Sequence, residues 1–418
     1  MARQRKAIMF ILDGIGDRPI KRLGSLTPLE YAKTPTLDML ATQGICGLMD
    51  PLSPGIRVGT DVGHLALFGY NPLKVYWGRG PIEAAGVGVE LEPGDVALRC
   101  NFATVDEQGL LVDRRAGRIR QGTSELAKTL NGIDLGDSCE VVFREATEHR
   151  AVLILRGDNL SAELTNSDPG PTHEGEPLQE VVPKGMDLPF AQRTAKLVNT
   201  FIGKSLEILR DHPVNRGREA SGLPPANVVI TRGAGMKVRM RSLAERFHIH
   251  GTCVAAESTV IGIARITGFA TLTSPLLTAN TDTDLMEKMR LAKAGLETSD
   301  LVIVHVKATD LLGHDNKPEE KAAFIERFDE CVAWLRGELS SPEEIYFVLA
   351  GDHSTPCELG EHSADPVPVF ICGGDVLTDE VTVYGERACA RGGLCRINAN
   401  ELLLSVLDLV GVTYRFGA

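Results

Sequence analysis

Four short, nearly continuous apolar runs stand out among stretches of helical periodicity: AIMFIL (7–12), LVIVHV (301–306), IYFVLA (345–350) and VPVFIC (367–372). A strand that is apolar on both sides must be covered on both faces. The runs therefore predict an α/β architecture, a mostly parallel sheet sandwiched by helices. Three of the runs lead into polar clusters, ILDG at 11–14, VKATDLLGHD at 306–315 and LAGDHS at 349–354. In open α/β sheets ligands bind beyond the carboxyl ends of the strands, so residues remote in sequence can meet there.

Between about 75 and 225 the pattern changes. Shorter β-like stretches (DVALRCNFATVD, CEVVFREA, HRAVLILRG), a hairpin-like DEQG at 106–109 and a Pro/Gly-rich loop at 166–177 replace the long apolar runs. A helical pattern at 189–211 and the turn GLPPAN at 222–227 lead back. A chain of 418 residues exceeds what one hydrophobic core usually holds. An inserted smaller α+β domain over 75–225, within a discontinuous domain of 1–74 and 226–418, accounts for the distance between the first strand and the other site strands.

The net charge of −12 argues against nucleic-acid partners, so an anionic substrate must be held by a local cluster of arginines. The nine cysteines are scattered and form no CxxC pair, which predicts neither a disulfide framework nor a thiolate zinc site and suits a reducing, cytoplasmic setting. No run of 18 apolar residues predicts a membrane span, and the first apolar run reads as a strand ending at Asp13 rather than as a signal peptide. A homo-oligomer is left open.

Asp310 and His314 are spaced i, i+4 after one apolar strand, which on a helical turn places both on one face and suits a shared divalent metal; a helix cap with a nearby histidine is the bland alternative. Asp352 and His353 follow another apolar strand, His362 lies in GEHSADPVP, and Asp13 follows the first strand, as a ligand or as an N-cap. Three carboxylates and three imidazoles suit Mn²⁺ or Zn²⁺, with Mg²⁺ or Co²⁺ as further options, and two ions fit better than one. A hydroxyl beside such ions becomes a nucleophile near neutral pH. Thr60, in RVGTDVGHLALFGY (57–70), is best placed for that part, its alternative being a turn residue.

These stretches, with GRGPIEAAGVGVEL, NFATVD, DRRAGR, TEHRAVLILRG, TRGAG and EHSADPVP, run in order from residue 7 to about 370. They resemble the alkaline phosphatase superfamily of metalloenzymes, and more closely its cofactor-independent phosphoglycerate mutases of the archaeal-type branch. The resemblance implies an alkaline phosphatase-like sheet and two divalent metal ions, one held by Asp13, Thr60, Asp352 and His353 and the other by Asp310, His314 and His362. It implies that Thr60 is phosphorylated and then relieved of its phosphoryl group as 3-phosphoglycerate and 2-phosphoglycerate interconvert. Most such mutases carry serine where this chain has Thr60, and a lysine expected near Ile261 is absent.

Planar guanidinium forks are natural partners of a phosphate and a carboxylate. An Arg-rich turn is more often a solvated surface, but the resemblance assigns Arg115, Arg118 and Arg150 to the phosphorylated small-molecule substrate. Arg232 is a further candidate. His149 is a catalytic acid or base, or a structural histidine. His64 is placed with the substrate-side residues, in an orienting role rather than as a ligand. Rival readings are a metal-dependent phosphomonoester or phosphonate hydrolase, a homoserine kinase-like phosphotransferase, and a metal-stabilised binding protein.

Overall fold

The computed structural model describes residues 5–170, 174–185, 188–237, 240–415 and 417. The chain divides into two compact units, Met1–Tyr76 with Met240–Ala418, and Trp77–Arg239.

The first unit holds an eight-stranded sheet. With strands numbered in chain order, it contains β1 (Lys6–Leu12), β2 (Gly44–Asp50), β8 (Gly251–Val254), β9 (Ala270–Leu272), β10 (Leu301–Val306), β11 (Ile345–Ala350), β12 (Val367–Cys372) and β13 (Cys395–Asn398). Their order is β13-β2-β12-β11-β1-β10-β8-β9. All neighbours are parallel except the two pairs made by β12, which runs antiparallel to both β11 and β2. All four apolar runs are strands with buried interiors. The run VPVFIC reverses direction because residues 351–366, which join it to β11, contain no helix to carry a parallel crossover. Helices cover the sheet: Leu285–Thr298 packs on Pro318–Glu338, while Ser258–Ile266 and Ala399–Val410 each pack against Thr60–Leu67.

Register brings the polar clusters to one edge. Leu12 pairs with Val306 and Ile11 with Ala350, so β1, β10 and β11 end together. The chain turns sharply there at Gly14, whose φ is +64° and whose added Cβ would lie 2.5 Å from Thr355 Oγ1. The helix Thr60–Leu67 meets the same edge through Gly63, where an added Cβ would lie 2.3 Å from the Asp352 carbonyl oxygen. Only glycine permits either approach.

The second unit is an antiparallel sheet with helices. Its strands are β3 (Val96–Val105), β4 (Leu111–Asp113), β5 (Glu140–Glu145), β6 (Arg150–Arg156) and β7 (Val228–Met236). β3 pairs with β6, β7 and β4, and β6 also pairs with β5. One face, with Val96, Leu98, Cys100 and Phe102, packs on the helices Thr123–Leu130 and Leu188–Arg210 to form the main core. The return to the first unit comes later than residue 226, because β7 extends the insert sheet alongside β3. GLPPAN is thus a turn inside the insert, and Arg232 belongs to the insert as well.

All nine cysteines are unpaired thiols. Among the described residues, no helix is long and apolar enough to cross a membrane.

Lys288, on the helix Leu285–Thr298, is 1% exposed, and burial drives its ammonium down to about 8 against a weak opposing pull from Cys253. The unfolded chain holds this proton more tightly, so stability must rise as pH climbs from about 8 toward 10.5. Below that window the folded state carries the cost of a buried charge. Lys288→Met is therefore expected to stabilise the protein at pH 7 by up to roughly 3 kcal/mol and to flatten the rise. Urea unfolding of both proteins at pH 7 and 10 checks this, and an unchanged difference between them at the two pH values counts against it.

Candidate active site

Each strand end contributes in turn. Asp13, directly after β1, is fully buried, and its amide donates to the Val306 carbonyl at 2.9 Å. Asp310 and His314 lie on the helix Ala308–His314, with His314 Nε2 3.4 Å from Asp310 Oδ1, as the i, i+4 spacing predicts. His362 Nε2 comes within 3.4 Å of the same oxygen and 3.3 Å of His314 Nε2. Both imidazoles are oriented from behind by backbone carbonyls: His314 Nδ1 lies 2.8 Å from the Gly360 oxygen, and His362 Nδ1 lies 2.8 Å from the Val58 oxygen. Protons on the Nδ1 atoms leave the Nε2 lone pairs facing Asp310, the arrangement that prepares a histidine for a metal.

A second group lies beside the first. His353 Nε2 is 3.4 Å from Asp13 Oδ1 and 3.3 Å from Asp352 Oδ2, yet both His353 Nε2 and Asp352 Oδ2 are buried without a hydrogen-bond partner among the described residues. His64 is also fully buried, with Nδ1 2.8 Å from the Thr60 carbonyl oxygen and 3.1 Å from Asp352 Oδ2. That position suits orientation of its neighbours. It does not suit substrate contact, so the grouping of His64 with the substrate-side residues is corrected.

Thr60 is the first residue of the helix Thr60–Leu67 and is 4% exposed. The helix N-terminus favours negative charge at that point. Lys307 Nζ donates to Thr60 Oγ1 at 3.1 Å, to both Asp13 oxygens at 3.0 Å, and pairs with Asp310 Oδ2 at 2.8 Å. It thereby ties together three segments and one member of each carboxylate–histidine group. Burial disfavours its charge, but Asp13, Asp310, Glu257 and Asp352 outweigh that and hold the ammonium well above its ordinary range. Burial and then Asp352 push the Asp13 carboxyl well above the usual carboxylate range. Burial also opposes ionisation of Asp310, yet Lys307 beside it helps hold it well below that range. Burial drives the His353 imidazole down to about 3.

The second unit concentrates cations. Asn101 on β3 lies opposite Arg150 on β6, and Arg99 lies opposite Arg232 on β7. All four share the sheet face that turns away from the main core, between two small apolar clusters. In the DRRAGR turn Asp113 accepts from the amides of Arg115 and Gly117, and Ala116, Gly117 and Arg118 all have positive φ. Burial lowers the Arg115 guanidinium, and Arg118, Arg114 and Arg150 lower it further. His149 is 5% exposed; burial and then Arg150, Arg115, Arg118 and Arg114 push its imidazole well below its ordinary value, so it is neutral near pH 7. Like charges gathered this closely suit a bound anion.

Several arginines of this unit have acidic or carbonyl partners: Arg99 Nε lies 3.5 Å from Glu83 Oε1 and Arg232 Nε 3.9 Å from Asp168 Oδ2. Arg114 makes a two-pronged pair with Asp168 at 2.6 and 2.7 Å, and Arg120 pairs with Glu148 at 3.1 Å. Arg218 holds the Ala116 and Pro224 carbonyls at 2.7 and 2.8 Å.

Known proteins share this chain end to end. A family model described as 2,3-bisphosphoglycerate-independent phosphoglycerate mutase matches residues 41–215. Curated relatives described in the same words are 43% identical in Methanothermobacter thermautotrophicus, covering 99% of this chain and 100% of the relative, and 46% identical in Methanopyrus kandleri, covering 99% of each. The chain belongs to this family. Among solved structures, a Pyrococcus horikoshii protein superposes with a TM-score of 0.84 at 36% identity, covering 99% of this chain and 100% of that one. A cofactor-independent phosphoglycerate mutase from Thermoplasma acidophilum superposes with a TM-score of 0.65 at 31% identity, covering 97% and 100%.

In this member of the mutase family the donor atoms fit divalent ions. Asp310, His314 and His362 form one group whose ligand atoms lie within 4.8 Å of one another, and Asp13, Asp352 and His353 form another. Mixed oxygen and imidazole donors, with two buried polar atoms lacking partners, are what such ions would satisfy. A third group, Asp13, His64 and His305, overlaps the second; His305 Nε2 lies 3.0 Å from Asp13 Oδ2. His305 and Lys307 were not singled out from sequence. Their signal was a histidine inside an apolar run and a lysine at its end, in VHVKATD.

Proposed function

We propose that this enzyme interconverts 3-phosphoglycerate and 2-phosphoglycerate without 2,3-bisphosphoglycerate, passing the phosphoryl group through Thr60. The observation that carries this reading is Thr60 Oγ1, buried at a helix N-terminus and held by Lys307 beside two carboxylate–histidine groups, in a chain aligned over its whole length with mutases of that name. Asp13, Asp352 and His353, with Thr60, would hold one divalent ion, and Asp310, His314 and His362 a second, with Mn²⁺ or Zn²⁺ preferred. Such ions supply positive charge that acidifies a neighbouring hydroxyl and offsets charge on a transferring phosphoryl group.

In the first half-reaction Thr60 Oγ1 gives up its proton and forms a bond to phosphorus as the C3 oxygen of 3-phosphoglycerate leaves and takes up a proton. In the second, the C2 hydroxyl of glycerate loses its proton and bonds to phosphorus, the Thr60 Oγ1–P bond breaks, and Thr60 Oγ1 regains a proton. Lys307 holds Thr60 Oγ1 in place and carries positive charge beside it. Arg115, Arg118, Arg150 and Arg232 are assigned to the anionic groups of the substrate, and neutral His149 to proton transfer with its hydroxyls. The nine unpaired thiols suit a reducing cytoplasm.

Thr60 also supports a second reading, a phosphomonoester or phosphonate hydrolase, because its extra methyl restricts χ1 and crowds attack. The test is to incubate the Mn²⁺-supplemented protein with 3-phosphoglycerate and no bisphosphoglycerate, following both products by ³¹P NMR. We expect 2-phosphoglycerate to appear ahead of free phosphate. Phosphate with no isomer would favour the hydrolase, and silence in both signals would reject both readings.

A further inference from the structure

The cation-rich face of the second unit carries guanidinium donors, while a phosphoglycerate consists mostly of acceptors. Its phosphate and carboxylate suit arginine, which has no acceptor of its own. One group on the substrate is different: the free hydroxyl, on C2 of 3-phosphoglycerate and on C3 of 2-phosphoglycerate, has a proton to donate. An arginine cluster alone would leave that proton without a protein partner.

Neutral His149 is assigned to proton transfer with the hydroxyls, and Asn101 supplies a second acceptor that can hold the free one. Asn101 sits in β3, directly opposite Arg150 across the β6 pair and two residues from Arg99 on the same face. The residue is 5% exposed. Its Nδ2 donates to the Arg114 carbonyl at 3.2 Å, which fixes which end of the amide is oxygen. Oδ1 is then left buried with no hydrogen-bond partner among the described residues. An orphaned buried acceptor destabilises the fold, and a ligand that donates to it removes that cost. Its cross-strand neighbours are Arg150 on β6 and Ile230 on β7, so the amide lies beside a guanidinium assigned to the substrate.

We infer that Asn101 Oδ1 accepts the hydrogen bond of the free hydroxyl of bound phosphoglycerate and so selects hydroxyl-bearing phosphorylated acids over deoxy analogues. The inference rests on the proposed mutase function and deepens it. A site built to pair a substrate hydroxyl discriminates strongly against an analogue that lacks it, because the buried partner is then stranded.

The experiment compares 3-phosphoglycerate with 3-(phosphonooxy)propanoate, the same molecule without its hydroxyl. Binding of each is measured by calorimetry to the full-length, metal-loaded chain carrying Thr60→Ala, in which the phosphoryl group stays on the ligand. We expect 3-phosphoglycerate to bind at least about tenfold more tightly than the analogue. Adding Asn101→Ala should bring the two within about threefold, mainly by weakening 3-phosphoglycerate. Asn101→Asp loses the donor to Arg114 but keeps an acceptor, so it should preserve the preference that a merely structural role would lose in both variants.

A preference that persists in the alanine variant overturns the inference, as does an equal collapse in both variants or an absent preference in the parent. Failure of the mutase reading looks different, because neither ligand then binds the parent at all, and that result overturns the inference together with the reading on which it rests.

Discussion

Replacing Thr60 by alanine is expected to abolish isomerisation, with kcat falling on the order of 10⁴-fold or more, while the fold survives. Alanine is the best helix former, and Thr60 is the first helical residue rather than the N-cap, which is Gly59. What disappears is the one hydroxyl held by Lys307 at the edge where β1, β10 and β11 end. Thermal melting should change little, and acid-quenched protein should carry phosphothreonine in the parent and none in the variant. Thr60→Ser keeps the oxygen and frees χ1, so its activity should match or exceed that of the parent. Turnover by the alanine variant within tenfold of the parent would remove Thr60 from the reaction.

The sequence was legible where burial writes itself into local composition. AIMFIL, LVIVHV and IYFVLA announced β1, β10 and β11 because strands covered on both faces have no polar side to show. VPVFIC announced β12 equally well but not its direction, since an apolar run records burial and not strand sense. The return boundary was misplaced for a related reason. Whether β7 belongs to the insert depends on its pairing with β3, which no local pattern encodes.

The site shows the same division. Asp310 and His314 were readable as a pair because helical spacing alone brings them together. Lys307 was not, because a lysine after a strand normally reaches solvent. Its burial follows from Asp13, Thr60 and Asp310 converging from separate segments. Asn101 lay closer to view: in VALRCNFATV, Arg99 and Asn101 alternate with Leu98, Cys100 and Phe102, the signature of a strand with one core face and one polar face. What sequence could not supply was the opposed Arg150 and Arg232, which give that polar face its charge. The Arg-rich turn was legible as a cation source, but not how its members divide. Arg114 is spent on Asp168, and Arg115 is left among like charges.

Lys307→Met should produce a stability loss whose size depends on metal. Lys307 is 6% exposed and faces Asp13 and Asp310 directly, with Glu257 3.8 Å away. Methionine fills similar space without charge and leaves these buried carboxylates uncompensated, a change that typically costs about 3–5 kcal/mol when a buried ion pair loses one partner. That deficit is expected in full in chelator-treated protein. With saturating Mn²⁺ it should shrink by half or more, because cations held by the same carboxylates would take over the compensation. Lys307 opposes the rise of Asp13 and holds Asp310 down, so without it these carboxylates take up protons more readily and the metal-free deficit should shrink as pH falls. Activity of the loaded variant should still fall, by about 10²-fold, since Thr60 Oγ1 loses its one positively charged hydrogen-bond donor. Denaturant unfolding with and without Mn²⁺ separates the two effects. Equal deficits in both conditions would mean that Lys307 and the metal ions do not share the task of neutralising Asp13 and Asp310, and the lysine would then act on Thr60 alone.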